Sequence, residues 1–126
     1  MRLFKLAGLD RVAGVAGGRG SAGTRVEKII DTLRTIGKKN DSVLQLFDAD
    51  RIVSPIHLVH AARQALLAFR AGENKAQTLD LEILRWVAVE KEIKRAISKV
   101  GINSDTKRFA VLAVGTRALS VRRSLK

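Results

Sequence analysis

The chain has no cysteine, one proline, one tryptophan and two histidines in 126 residues. Without cysteine there can be no disulfide, no thiolate zinc site and no cysteine nucleophile. The histidines, His57 and His60, lie one helical turn apart, and without a cysteine or a well-placed carboxylate they make a poor metal site. Aromatics are also few. Phe4, Phe47, Phe69 and Phe109 occupy apolar periodic positions and read as core, while Trp86 suits a surface or a core place equally. That leaves no aromatic platform of the kind on which RNA-recognition sheets stack bases. The longest wholly apolar run, Phe109 to Val114, is too short to span a bilayer. The N-terminal MRLFKLAGLD interleaves charge with apolar residues and lacks the core of a signal peptide. These absences predict a soluble cytoplasmic protein with no membrane partner.

Acidic side chains are scarce as well, 12 against 24 basic, for a formal net charge of +12. A small domain with that imbalance attracts polyanions, nucleic acid foremost. The excess is uneven. Residues 1–39 carry nine basic and three acidic side chains, and 40–73 carry three and four. Residues 74–108 carry eight and five, and the tail from Phe109 carries four and none. A hydrophobic content of 46% supports a real core, and the length suits one domain over 1–126.

The strongest periodicity lies in Thr78–Ile102, TLDLEILRWVAVEKEIKRAISKVGI. Val89, Ile93, Ala96, Ile97 and Val100 fall at helical spacing on one side; Lys91, Lys94, Arg95, Ser98 and Lys99 fall on the other. The first side predicts a buried face and the second an outward basic stripe. The stripe also has the ordinary reading of a solvated helix face, with Glu90 and Lys94 spaced for an i,i+4 pair. Thr78 is a candidate N-cap with Asp80 and Glu82 in the first turn, and Gly101 a candidate stop. The register slips near Val87–Glu90, which predicts two helices or one kinked helix.

Elsewhere, Arg2–Leu6 alternates as a strand does, with Val12–Ala16 as its hairpin partner, and Gly17–Gly23 reads as a flexible loop. Thr24–Glu27 forms a capping box for a helix burying Val26, Ile29, Ile30, Leu33 and Ile36 and ending at Gly37. Val43–Phe47 reads as a buried strand. Ser54–Pro55 opens a second helix that lines one face with Ile56, Val59, Ala62, Leu66 and Phe69 and closes at Gly72. Phe109–Val114 suits a central strand, and Thr116–Lys126 a short basic helix. The order predicts an α+β domain, a two-layer sandwich of a small mixed sheet with helices mainly on one face.

Gly18–Gly23 matches G-x-G-x-x-G, but the preceding strand is weak and no acidic residue follows at a convincing distance. A surface loop is the better reading, and no lysine follows for a P-loop. Asp48 and Asp50 flank a strand end, where acidic residues commonly make turns. No set of nucleophile, base and orienting residue stands out. The chain reads as non-enzymatic, without catalytic residues, cofactor or metal.

Leu46–Phe69, LFDADRIVSPIHLVHAARQALLAF, followed by Glu73–Ile102, resembles the small tRNA-binding accessory subunit of the KEOPS complex, the TPRKB-like family. A strand ending in D-A-x-x-I, a helix opening H-L, an N-K-x-x-x-L loop, then E-x-x-I-x-x-A-I-x-x-V-G-I and an apolar strand carry the likeness over roughly residues 43 to 115. It implies a non-catalytic subunit that docks on a kinase-like ATPase subunit and meets the other KEOPS subunits indirectly. It also implies recruitment of tRNA by its 3′ CCA end for threonylcarbamoyl-adenosine modification. Two departures stand out. The family commonly breaks with S-G before E-x-x-I where this chain has Ala88-Val89, and its C-terminal helix is longer. On this reading Lys75, Arg85, Lys91, Lys94, Arg95 and Lys99 contact RNA, and Leu119 and Val121 face the kinase subunit. A general basic RNA-binding protein of ribosomal type is the alternative, and a nucleotide-binding protein using the Gly18–Gly23 loop is a third.

Overall fold

In the computed structural model, which describes residues 1–20, 26–103 and 105–125, the apolar strands assemble into one four-stranded sheet in the order β1-β2-β4-β3. β1 spans Arg2–Leu6, β2 Arg11–Arg19, β3 Ser42–Asp48 and β4 Arg108–Gly115. Every pairing is antiparallel, with Leu112 opposite both Val15 and Gln45. The sheet is therefore not mixed, because each return between neighbouring strands reverses direction. β4 is central, as its unbroken apolar run predicts, since a strand buried on both sides needs no polar alternation.

The two faces follow from the strand period of two. Ala110, Leu112 and Val114 of β4 point into the main core with Ala13, Val15 and Phe47. Val111 and Ala113 point the other way, toward Leu44 and Val121. Helices α2 (Pro55–Ala71) and α3 (Leu79–Ala88) cover the first face, with α4 (Ile93–Val100) packed on α3. The buried side chains of Phe47, Leu58, Ile83 and Leu112 each contribute about 1.5–3 kcal/mol there. On the second face, α1 (Val26–Lys39) packs on β3, and α5 (Ala118–Ser124) packs on β2 and β4. The α+β class and the heavier first face match the sequence reading, and a thinner helical layer lies behind the sheet.

The ends of α2 are as expected. The Ser54 hydroxyl accepts from the His57 amide, Pro55 sits in the first turn, and Gly72 closes the helix at φ 71°. Its buried face differs. Leu58, Ala61, Ala62 and Ala65 face inward, and Ile56 is exposed. Small side chains let the helix lie close between sheet and α3, while Val59 and Leu66 pack at the margin of the same core.

Helix α1 does not end at Gly37 but runs on to Lys39, and Asp41 makes the reversal at φ 53°. Gly37 serves a different purpose, since a Cβ there would lie 2.5 Å from the Ser42 carbonyl oxygen on β3. The capping residues Thr24 and Arg25 lie outside the described residues. Gly17, Gly18 and Arg19 are not loop but the end of β2, paired with Ala110, Phe109 and Arg108. The rest of the glycine motif, 21–23, is outside the described residues, and its start runs as strand rather than cradling a phosphate.

Candidate nucleic-acid interface

α3 and α4 are two helices, as one of the two sequence readings allowed. The break forms at Val89, with no glycine at that turn, and Val89 adopts φ 56° and stands 83% exposed. A β-branched residue there costs about 1–2 kcal/mol. The amide of Glu90 donates to the Arg85 carbonyl across the break at 3.1 Å.

Beyond the break, α4 separates its faces. Ala96 and Val100 are buried and Ile93 half-buried, while Lys91, Lys94, Arg95, Ser98 and Lys99 are exposed. Val89 and Ile97, read as core, are 83% and 44% exposed: Val89 sits at the break before α4, and only the inner edge of α4 reaches α3. Arg51 holds the far end, donating to the carbonyls of Ser98 at 2.6 Å and Lys99 at 3.2 Å.

The stripe is partly neutralised, though not as spaced in the sequence. Glu90 precedes the helix, so it misses Lys94 and pairs instead with Lys99 at 2.6 Å, while Arg95 pairs with Glu92 at 3.7 Å. The ammonium of Lys99 outweighs partial burial and, with Arg95, holds the Glu90 carboxyl below the usual range. Among the described residues, Lys91 and Lys94 form no ion pair. Lys75 is also exposed, in the loop before α3.

Arg85 leaves the expected RNA-contacting set. It is 8% exposed, its Nη1 lies 2.9 Å from Glu82 Oε1, and its Nε donates to the Lys91 carbonyl at 2.8 Å. Such a guanidinium is part of the fold and has no reach to a phosphate. Val121 leaves the partner-facing pair for the same reason: it is fully buried against Gly14, where a Cβ would come within 2.5 Å of its Cγ1. Leu119 is 54% exposed on α5, on the opposite side of the sheet from α4, beside exposed Arg122 and Arg123.

The first-turn acids of α3 are structural. Glu82, 1% exposed, accepts through Oε1 from the amides of Lys75 at 3.1 Å and Ala76 at 2.9 Å. Through Oε2 it accepts from the Trp86 indole at 3.2 Å. Burial alone would push this carboxyl up; the Ala76 amide, the Arg85 guanidinium and the Lys75 amide together outweigh it and hold it below the usual range. Asp80 pairs with Arg34 of α1 and accepts from the Thr78 hydroxyl, so Thr78 does not cap the helix with its side chain. Spacing reveals neither cationic partner, Arg34 for Asp80 or Arg85 for Glu82, because burial of an acid at a helix start cannot be read from its position in the sequence.

Other basic residues are also engaged internally. Arg63 donates to the Ala7 carbonyl at 2.7 Å, fastening α2 to the β1–β2 turn, and Arg108 pairs with Asp50 at 3.0 Å. Asp48 caps a short 3₁₀ turn at Ala49–Arg51 and accepts from Thr106. His57 is half-buried and His60 exposed, and no cluster among the described residues could hold a metal ion. Nor, among the described residues, is any helix long and apolar enough to cross a membrane. An open cleft of about 610 Å³ lies between the ends of β2 and β4 and the start of α2, lined by Arg19, Pro55 and Phe109.

The sequence profile of the family described as kinase binding protein CGI-121 matches residues 24–126. This chain belongs to that family. The matched span takes in α1 through α5, so both faces of the sheet fall within it. No curated protein matches the chain. Membership makes a kinase the expected class of partner and fits a binding role rather than a catalytic one.

Proposed function

We propose that the chain is a non-catalytic accessory subunit of KEOPS type, working in the cytoplasm. It docks on a kinase-like ATPase subunit through the α5 side and recruits tRNA by its 3′ CCA end through the α4 side, for threonylcarbamoyl-adenosine modification. The observation that carries the RNA half is the outer face of α4 and the turn before it, with Lys94 and Lys91 exposed and free of ion pairs among the described residues. Lys75, Arg95 and Lys99 border it. Phosphates recognised by lysine point charges give affinity without sequence reading, so specificity must come from the RNA end. Family membership supports the kinase half, and Leu119 offers the exposed apolar contact.

The deciding experiment compares binding of intact tRNA and the same tRNA lacking its CCA end at matched salt. A large loss on truncation is expected. Equal affinities that fall steeply with salt would replace end recognition by the generic reading, which the exposed cations of α5 on the other face favour.

A further inference from the structure

The chain's single tryptophan is 40% exposed, yet its polar edge is not in water. The indole Nε1 donates to Glu82 Oε2 at 3.2 Å, and that carboxylate is itself buried. With the N–H held inward, the ring surface left in solvent is carbon. A surface aromatic normally loses rotamer freedom when it binds; here the hydrogen bond has already fixed the ring.

The hydrogen-bond network that holds the ring also reaches the backbone of two lysines. The other oxygen of the same carboxylate accepts from the backbone amide of Lys75 at 3.1 Å. Arg85, paired to that oxygen at 2.9 Å, donates onward to the carbonyl of Lys91 at 2.8 Å. One buried network thus anchors the ring and the backbone positions of two exposed lysines. A fixed π-face flanked by cations is what an unpaired base between two phosphates requires. A protein partner would find an apolar ring but no use for the lysines unless it were acidic.

We propose that Trp86 stacks on an unpaired base of bound RNA, with Lys75 and Lys91 on the flanking phosphates. This rests on the RNA-binding reading above and adds a residue to it. The network also makes Glu82 a positioning residue for all three groups.

The test titrates the wild-type protein with a labelled short single-stranded RNA and with duplex RNA of the same length. RNA anisotropy and tryptophan emission are followed together, and Trp86→Ala and Trp86→Phe are compared. Single-stranded RNA should quench the emission and duplex RNA should not. Trp86→Ala should weaken single-strand binding about five- to a hundredfold and leave duplex binding unchanged, with Trp86→Phe in between. Binding by anisotropy with unchanged emission would overturn stacking and leave the RNA reading standing. No binding of either RNA would remove both. Emission that responds to the kinase partner but not to RNA would assign the ring to protein docking and overturn the proposal. The wild-type emission measurement does not depend on any variant folding.

Discussion

The Glu82 carboxylate is bonded to two amides, a guanidinium and an indole, almost wholly out of water. Removing its charge leaves Arg85 buried without its partner. Glu82→Gln should therefore cost about 3–5 kcal/mol in denaturant unfolding. Because the folded carboxyl titrates below its unfolded counterpart, its stabilisation is complete above the ordinary carboxylate pKa. It is lost as pH falls through the depressed folded value. Unfolding curves taken from neutral to acidic pH should slope less in the Gln variant than in wild type. Val89 is the opposite case, a residue held where its shape is unfavourable. Val89→Gly should raise stability by about 1 kcal/mol, since relief of the left-handed strain exceeds the entropy glycine adds to the unfolded chain. A lower thermal midpoint would mean that the exposed valine side chain contributes contacts that offset its strain.

At the scale of elements, α5 depends on a glycine two strands away in sequence. Gly14 lets Val121 seat against β2, and Gly14→Ala should force the helix outward at a cost of about 1–3 kcal/mol, read by denaturation. The elements themselves were largely legible. Ser54, Pro55 and Gly72 mark α2 by local chemistry, and the apolar run of β4 marks a central strand. What was not legible was tertiary. Spacing alone cannot tell Arg85, turned inward to Glu82, from Lys94, turned outward, because both sit on helices rich in apolar residues. Nor can it show that Gly37 opens space for a neighbouring strand rather than ending its helix. Val121 lies buried rather than facing a partner, and a seven-residue helix with two consecutive arginines in its last turn does not reveal which of its apolar residues meets a sheet. Lys91→Glu with Lys94→Glu tests α4 and the turn before it as a unit. RNA binding should fall sharply and its salt slope decrease by about one to two units, with the circular dichroism spectrum unchanged.

Across the whole molecule, α4 and Leu119 of α5 lie on opposite sides of the sheet, so kinase docking and RNA binding should be separable. Leu119→Glu should weaken the kinase contact in a pull-down and leave RNA affinity within about twofold, because distant sites act independently. A shared loss would place both partners on one side. The cations that fasten the fold together are mostly arginines. Arg34, Arg51, Arg63, Arg85 and Arg108 each hold a carbonyl or carboxylate of the fold. Among the described residues, the one lysine side chain in an ion pair is Lys99. A guanidinium fork suits fixed multiple bonds and an ammonium suits a mobile point charge. Acylating every lysine should consequently weaken the proposed RNA binding, with the exposed Arg95, Arg122 and Arg123 left charged, while the protein still melts near its usual temperature. Lysine acetylation would thus loosen the proposed RNA contact without unfolding the chain.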